Sequence, residues 1–395
     1  MSNFDPDQAA KLSDDVYALT KLDTLEEAMF SLNMKYGGVF KFSESNMMKG
    51  RTGGPGYIKC RTAFGFCLLG KVAPYIGHAV IVFRGTQYLA DWLTNLNVNT
   101  SYTLTGQKVH DGFAESFKSM APQLMNFMSS DEMKTVHTIH CVGHSLGGAL
   151  ATICGDWVKS AYGRAPFVYS FGSPRVGLYS FAQACGRNVG AERVYRAFHK
   201  TDIVPCIPTW PYYHTPLENQ GRDYFLPSPG TIPMAEYHGM EHYIKSVDEK
   251  SWESLAALRD EGKDESRIKR WLTETVPASI SMSSINNLSE ALSFVIVKCY
   301  DGARWLLSKT FTNSFTFMDQ LAYILDKGIN LAGSASEWVL KLIKKIMQML
   351  GMVGDVKLED LSVRFMRDVL VNMQLRIAQF TKDAFNHVMV NGRAI

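Results

Sequence analysis

Apolar residues along the first 250 positions alternate between strand-like runs and helix-like spacing. One stretch, residues 146–159, has its hydrophobic side chains at helical intervals. Four others are short and strand-like, and each is followed by a glycine or by a proline-rich loop, as expected of buried strands. The first of them is continuously apolar. These four runs are residues 79–83, 136–142, 167–171 and 193–198. Strands that alternate with helices indicate an α/β fold, in which helices cover a parallel sheet.

The pattern changes between residues 248 and 270, where acidic and basic side chains crowd together. We interpret this segment as a solvated helix or linker and as the best candidate for a domain boundary. After Pro277 the apolar spacing is helical to the C-terminus, with breaks at glycines. Because 395 residues suffice for two domains, we predict an α/β domain over residues 1–250 and an all-helical domain over residues 251–395.

Within the helical region, residues 338–352 combine basic and apolar side chains. The polar residues of one face are Lys341, Lys344, Lys345 and Gln348, and the apolar remainder includes Trp338, Leu342, Ile346 and Met349. Such a helix can lie on an anionic membrane surface. It can equally belong to a helical bundle with its lysines in water, which is the commoner arrangement. Residues 311–325 and 361–385 show further apolar periodicity and favour a small helical domain.

The composition is that of a globular protein, with 46% hydrophobic and 20% charged residues. The formal charge is only +3, and the sequence has no lysine- and arginine-rich run typical of nucleic-acid binding, so we expect no nucleic-acid partner. The seven cysteines are widely spaced and include no CxxC pair. This spacing predicts reduced, mostly buried thiols rather than a disulfide framework, and no metal site.

The N-terminus is acidic and lacks the apolar stretch of a signal peptide. The longest apolar stretch, residues 294–297 with flanking Ala291 and Leu292, is too short to span a bilayer. We therefore expect synthesis in the cytoplasm without a cleaved signal peptide. If the protein acts outside the cell, we expect a non-classical or specialised secretion system to export it.

A G-x-S-x-G motif, Gly143-His-Ser145-Leu-Gly147, lies between the second predicted strand and the predicted helix. In this context the serine stands on a tight strand-to-helix turn, and its hydroxyl projects above the sheet. The two glycines give the turn room, because a side chain at either position would collide with neighbouring backbone. We therefore predict an α/β-hydrolase domain with Ser145 as its nucleophile.

A catalytic triad on this fold follows the chain order serine, acid, histidine. Asp202 follows the fourth predicted strand, where an acid can reach a histidine at the carboxyl edge of the sheet. Its carboxylate would fix the imidazole tautomer and stabilise the imidazolium. Three histidines, His214, His238 and His242, come after it within the same domain. We favour His238 as the general base, and His242 stays open as the alternative.

The first predicted strand ends at Arg84-Gly85-Thr86. The backbone N–H groups of Thr86 and Leu146 could converge there on the oxyanion that develops during acyl transfer. A glycine turn that merely ends the strand is the alternative interpretation. No motif indicates a cofactor, and we expect none.

Five motifs resemble those of the class 3 lipase family, the fungal-lipase-like branch of the α/β hydrolases. In family order they are Val82-Phe-Arg-Gly-Thr86 with Asp91-Trp92, Val109-His-Asp-Gly-Phe113, Val142-Gly-His-Ser-Leu-Gly-Gly-Ala149, Ser170-Phe-Gly-Ser-Pro-Arg-Val-Gly177 and Thr201-Asp-Ile-Val-Pro205. The resemblance covers about residues 60–250. It implies that Thr86 contributes to the oxyanion hole. It also implies that His238, in the stretch His238-Gly-Met-Glu-His-Tyr243, is the catalytic histidine and that His214 is not.

The resemblance further implies a lid directly after the oxyanion strand. The candidate residues for the lid and for substrate contact are Tyr88, Leu89, Trp92 and Leu93, which follow at helix-like spacing. A helix packed on the core is the alternative interpretation. The C-terminal helical domain could also dock over the mouth of the site and control access to it.

The function implied by the resemblance is hydrolysis of the acyl esters of lipids through an acyl-enzyme, by a lipase or a phospholipase A. The expected partners are a lipid or phospholipid substrate and a membrane surface. An immunity or secretion protein would join them if the enzyme is an effector delivered to other cells. The alternative function is a membrane-acting toxin whose helical C-terminal region disrupts membranes independently of hydrolysis.

Overall fold

The computed structural model describes residues 3–21, 24–52, 60–86, 99–217, 222–230, 232–256, 265–274, 278–299, 316–330 and 334–390. The strands, in chain order, are β1 (Phe40–Lys41), β2 (Met47–Thr52), β3 (Cys60–Gly70), β4 (His78–Phe83), β5 (Thr100–Tyr102), β6 (Lys108–His110), β7 (Thr138–His144), β8 (Phe167–Phe171), β9 (Gly177–Leu178), β10 (Val194–His199), β11 (Tyr212–Tyr213) and β12 (Arg222–Leu226).

The helices, again in chain order, are α1 (Pro6–Asp15), α2 (Ala18–Lys21), α3 (Leu25–Tyr36), α4 (Asp111–Met128), α5 (Leu146–Tyr162), α6 (Tyr179–Cys185), α7 (Met240–Val247), α8 (Trp252–Ala256), α9 (Glu265–Thr273), α10 (Met282–Cys299), α11 (Phe317–Asn330), α12 (Ser334–Met349) and α13 (Val363–Val390). A short 3-10 helix, Ala235–His238, directly precedes α7.

The main sheet has eight strands in the order β1-β3-β4-β7-β8-β10-β12, with β2 paired to β3 outside this path. The strands from β4 to β12 along this order are parallel, so their carboxyl ends meet at one edge. Phe83, Gly143 and Ser170 lie side by side near that edge on three neighbouring strands. In open α/β sheets this edge is where ligands bind. A smaller sheet of order β11-β9-β6-β5 lies apart from the main one.

Helices cover both faces of the main sheet, and the alternation of side chains along β4 shows how. Ile81 and Phe83 point into a core formed with α4 and α5, whereas Val80 and Val82 point into a core formed with α1, α7 and α8. This two-residue period is expected for a strand buried on both faces. The sheet is therefore held in the middle of three layers, and its carboxyl edge is fixed from both sides.

Helices α9 to α13 build a third core, which reaches into the loop after β10. Ile203, Val204 and Ile207 from that loop are buried among the apolar side chains of these helices, as is Ala235 from the short 3-10 helix. The helical region therefore packs directly against the segments that carry Asp202 and His238.

The predicted fold class, α/β with a helical C-terminal region, is confirmed. The predicted strands correspond to β4, β7, β8 and β10 within two residues at each end, and the predicted helix corresponds to α5. The sequence pattern does not predict α1 to α3 or the smaller sheet. Their signals are weak because Leu12 is the one large apolar side chain that α1 buries, and strands of two or three residues are too short to show a period.

The division of the chain at residue 250 stays a prediction. Trp252 and Leu255, just beyond it, pack in the sheet core that also contains Tyr195. Ile203, well before it, packs in the helical core. Each part of the chain therefore contributes buried side chains to the core of the other part.

Helix α12, the predicted basic amphipathic helix, is a member of the helical bundle. Its apolar residues Leu342, Ile343 and Ile346 are completely buried. The expectation that all its lysines lie in water is wrong for Lys345, which is 3% exposed and donates a hydrogen bond to the carbonyl oxygen of Glu274 at 2.7 Å. Over the described parts of the chain, no helix has both the length and the apolar character needed to cross a membrane.

Six cysteines whose side chains are described are unpaired and buried, as predicted. Burial raises the pKa of the Cys67 and Cys185 thiols well above the ordinary value. Thiols of this kind stay protonated and behave as small apolar core residues.

Candidate active site

Ser145 forms the tight turn between β7 and α5. Its backbone has φ 56° and ψ −129°, a conformation that costs a residue with a side chain about 1–3 kcal/mol. A Cβ atom at Gly143 would lie 2.2 Å from the carbonyl oxygen of Gly147, and one at Gly147 would lie 2.2 Å from that of Phe83. The two glycines are therefore required by the close approach of α5 to the ends of β4 and β7.

Asp202 lies in the loop directly after β10 and is 1% exposed. Its Oδ1 accepts a hydrogen bond from the backbone N–H of Val204 at 3.0 Å. Its Oδ2 accepts one from the Tyr243 hydroxyl at 2.6 Å and lies 2.9 Å from Nδ1 of His238. With these three donors the carboxylate has a fixed position and orientation.

Tyr243 projects from α7 and is completely buried. Burial, reinforced by the charge of Asp202, raises the pKa of the Tyr243 phenol well above its ordinary value of 10. The phenol therefore keeps its proton and donates a hydrogen bond to the carboxylate. Because Asp202 acts as an acceptor, Nδ1 of His238 carries the ring proton, and Nε2 is left with its lone pair.

His238 ends the short 3-10 helix before α7 and is 1% exposed. Its Nε2 and the Oγ of Ser145 are both buried, and neither forms a hydrogen bond within the described residues. The ring of Phe385 from α13 meets the imidazole edge-on, with ring centroids 6.0 Å apart and an interplanar angle of 85°. The serine and histidine are thus both enclosed, without the direct hydrogen bond that proton transfer requires.

The other two candidate histidines lie in different surroundings. The ring of His242, in the first turn of α7, packs against Tyr237 with centroids 4.4 Å apart. His214 is buried and lines a cavity of about 230 Å³ to which Asp202 and Arg196 also contribute. The structure therefore brings His238 to the hydrogen-bonding position beside Asp202 that the proposed base requires.

Thr86 and Leu146, the predicted oxyanion donors, belong to two segments at the same sheet edge. Thr86 lies three residues after the end of β4, and Leu146 is the first residue of α5. The close approach of Gly147 to Phe83 places these segments side by side. The predicted lid residues Tyr88, Leu89, Trp92 and Leu93 lie outside the described residues.

Three side chains at this site were not identified from the sequence as site residues. His144 occupies the first variable position of the G-x-S-x-G motif, and its place next to Ser145 is a usable signal. Tyr243 ends the histidine motif, and nothing in that motif indicates its role. Phe385 comes from a distant helix, and its approach to His238 depends on the packing of α13, which no local pattern encodes.

The family model described as lipase (class 3) matches residues 80–212, which include Thr86, Ser145 and Asp202. This match confirms the resemblance over those residues. His238 lies beyond the matched residues, so its assignment depends on the geometry around Asp202.

Two curated proteins, one named as a lipase and one as a phospholipase, are similar to parts of this chain. Secreted mono- and diacylglycerol lipase 1 of Fusarium solani is 35% identical over 147 residues, which are 35% of this chain and 42% of that protein. Phospholipase A1-II 1 of Oryza sativa subsp. japonica is 28% identical over 220 residues, which are 49% of this chain and 54% of that protein. The chain thus spans about half or less of these relatives. Among solved structures, a lipase from Rhizopus microsporus var. chinensis is similar with a TM-score of 0.39 and 22% identity, over 55% of this chain and 74% of that one.

Proposed function

We propose that this protein is a serine ester hydrolase that cleaves the acyl esters of lipids with Ser145, His238 and Asp202 as its triad. The observation that carries the proposal is the 2.9 Å contact between His238 Nδ1 and Asp202 Oδ2, in a buried site where His238 also packs on His144, the chain neighbour of Ser145. A carboxylate bound to Nδ1 directs the basic nitrogen Nε2 toward a nucleophile. The strained turn at Ser145 is the second support, because such a turn presents a serine hydroxyl at the edge of the sheet.

In the proposed reaction the Oγ of Ser145 attacks the ester carbonyl carbon and transfers its proton to Nε2 of His238. The carbonyl oxygen becomes an oxyanion that accepts hydrogen bonds from the backbone N–H groups of Leu146 and Thr86. Collapse of this intermediate releases the alcohol, which takes the proton from Nε2 and leaves an acyl-enzyme. A water molecule then deacylates Ser145 by the same steps, and the products are a fatty acid and free enzyme.

The proposed substrate class is a glycerolipid. The names of the two relatives above refer to mono- and diacylglycerols in one case and to phospholipids in the other. Both kinds of lipid present the same bond, a carboxylic ester between a fatty acid and glycerol. We therefore propose the acylglycerol ester as the bond that is cleaved. Fatty-acid release from each kind of lipid distinguishes a neutral-lipid substrate from a phospholipid substrate.

Labelling with a fluorophosphonate probe tests the nucleophile. We expect one covalent adduct on Ser145 in the full-length protein and none in Ser145→Ala. The matched control is Ser160→Ala, an exposed serine near the end of the same helix α5, which should be labelled at the parental rate. Labelling that survives Ser145→Ala, or a parent chain that does not react at all, would overturn the proposed triad.

Fatty-acid release tests the substrate class. The parent and Ser145→Ala are incubated with phosphatidylcholine vesicles and, separately, with emulsified diacylglycerol. We expect release by the parent only, with a decrease of about 10⁶-fold in kcat for the variant. Release from vesicles alone identifies a phospholipase, and release from the emulsion alone identifies a lipase of neutral glycerides. Vesicle leakage by Ser145→Ala without fatty-acid release would instead support the membrane-disrupting alternative.

A further inference from the structure

A chain of buried hydrogen bonds runs past Ser145 through two side chains that the proposed mechanism does not use. The Tyr17 hydroxyl accepts a hydrogen bond from the backbone N–H of Gly85 at 3.0 Å. The same hydroxyl lies 2.8 Å from Nδ1 of His144. On the other side of the His144 ring, Nε2 lies 2.7 Å from the backbone carbonyl oxygen of His238. Tyr17 is 9% exposed and His144 is 3% exposed, so the connection is shielded from solvent.

The chemistry of the partners fixes the direction of each bond. A carbonyl oxygen can only accept, so Nε2 of His144 carries the proton that it donates to His238. In the neutral ring Nδ1 is then an acceptor, and the Tyr17 hydroxyl donates to it. Burial raises the pKa of Tyr17 well above 10, which keeps that hydroxyl protonated. The hydroxyl oxygen in turn accepts from Gly85, so every bond in the chain has one donor and one acceptor.

The two ends of this chain of hydrogen bonds lie at different parts of the proposed catalytic site. Gly85 lies in the segment Arg84–Thr86 that leads to the proposed oxyanion donor. It also lies beside the nucleophile, because a Cβ atom at Gly85 would be 3.0 Å from Cβ of Ser145. The other end holds the backbone of His238, the proposed general base. The ring of His144 itself packs on that of His238, with centroids 4.6 Å apart.

We propose that Tyr17 and His144 are positioning residues that fix the oxyanion segment and the general base relative to each other. The inference rests on the proposed function, because its effect is on the rate of acylation of Ser145. Neither residue touches the reacting atoms in this role. Their effect comes from distance, since a displacement of about 1 Å in a catalytic group can lower a rate about 100-fold.

The test compares four variants of the full-length protein: Tyr17→Phe, His144→Gln, His144→Leu and Tyr36→Phe. The readouts are the rate constant for fluorophosphonate labelling and the kcat and KM for p-nitrophenyl butyrate. In His144→Gln the amide nitrogen of the introduced side chain can replace Nε2 as the donor to His238, whereas leucine replaces neither ring nitrogen. Tyr36→Phe is the matched control, because Tyr36 also donates a partly buried hydrogen bond, to Asp15, and takes no part in the chain of bonds past Ser145.

We expect Tyr17→Phe to lower kcat by about ten- to a hundredfold with little change in KM. His144→Leu should lower kcat at least as much, and His144→Gln should recover part of the loss. Tyr36→Phe should lower the melting temperature only, with kcat at the parental value, which separates positioning from a general loss of stability. A kcat within twofold of the parent for both Tyr17→Phe and His144→Leu would overturn this inference while leaving the triad intact. A parent chain that is not labelled at all would contradict both this inference and the proposed triad.

Discussion

The two ring nitrogens of His238 lie in contrasting surroundings. On the Nδ1 side, Asp202 accepts hydrogen bonds from the Val204 backbone, from Tyr243 and from the imidazole itself. Within the described residues, neither Nε2 nor the Oγ of Ser145 has a hydrogen-bond partner. The ring of Phe385 meets the imidazole edge-on. The acid half of the site, Asp202 with Tyr243 and His238 Nδ1, is therefore assembled in advance, whereas the nucleophile half, His238 Nε2 with Ser145, is closed.

The difference follows from which elements build each half. The acid half rests on the loop after β10 and on α7, whose Tyr243 also packs edge-on against Phe171 of β8. Helix α13 belongs to the separate helical core and meets the His238 ring through Phe385, and we take it as the cover of the nucleophile half. A helix held by side-chain packing can move away without breaking any strand pairing. We therefore expect the cover to move while the acid half stays in place.

Asp202→Asn is expected to have the largest effect, because it disables the assembled half. The amide can still accept from Val204, but it no longer holds the His238 imidazole in the tautomer that accepts the serine proton. We expect kcat for p-nitrophenyl butyrate to fall about 10⁴-fold. Asp156→Asn, a buried carboxylate that binds Thr105 elsewhere in the domain, is the control and should keep its kcat. A decrease of less than tenfold in Asp202→Asn would show that Asp202 does not act on His238.

Acid pH is expected to weaken the folded state through two buried histidines, one of which, His199, contacts Tyr243 in the acid half. Burial lowers the pKa of His140 to about 3 and that of His199 to about 4, from an ordinary value of 6.5. Between pH 6.5 and about 4 the unfolded chain therefore binds protons at these rings that the native chain does not. The free energy of unfolding should be highest above pH 6.5 and should fall by about 1.4 kcal/mol per pH unit for each ring.

Urea unfolding at about pH 7 and about pH 5 measures this effect. The variant His140→Phe keeps an aromatic ring in the stack with Phe4 but cannot bind a proton. Because only His199 then contributes, the change in its free energy of unfolding between the two pH values should be about half of that in the parent. Equal free energies of unfolding at the two pH values in the parent chain would contradict the assignment of these histidines as neutral in the folded state.

Tyr243→Phe is expected to have a smaller effect than Asp202→Asn, because it removes one of three donors and leaves the carboxylate in place. The lost hydrogen bond to a charged group should lower kcat about tenfold. The melting temperature, measured beside kcat, separates this effect from a general loss of stability. An unchanged kcat would mean that Tyr243 only fills space beside Asp202.

The contrast between the halves also explains what the sequence could predict. Ser145 and Asp202 follow short, mainly apolar strands that end in a turn or a loop, so their place at the carboxyl edge of the sheet follows from local pattern and chain order. Tyr243 was within reach, since it lies five residues after His238. Tyr17 and Phe385 approach the site from α1–α2 and from α13, and their contacts span more than a hundred residues of chain. Such contacts depend on how layers and helices pack, which hydrophobic periodicity does not specify.

The smallest effect is expected from a substitution in the cover, helix α13. Phe385→Leu keeps an apolar side chain in the helical core but removes the edge-on contact with His238. The core should tolerate this exchange at a cost of about 1.5 kcal/mol. If α13 must move before an ester reaches Ser145, weakening its contact should raise the rate of fluorophosphonate labelling severalfold, because less free energy is needed to open the site.

Leu375→Ala supplies the control for the cover, because Leu375 lies on the same helix but is 63% exposed. Its labelling rate should equal that of the parent. A bulkier fluorophosphonate should respond more strongly to Phe385→Leu than a small one, since a larger probe needs a wider opening. Equal rates for both probes in the parent and in Phe385→Leu would show that substrate reaches Ser145 without displacement of α13, and that the nucleophile half is open from another side.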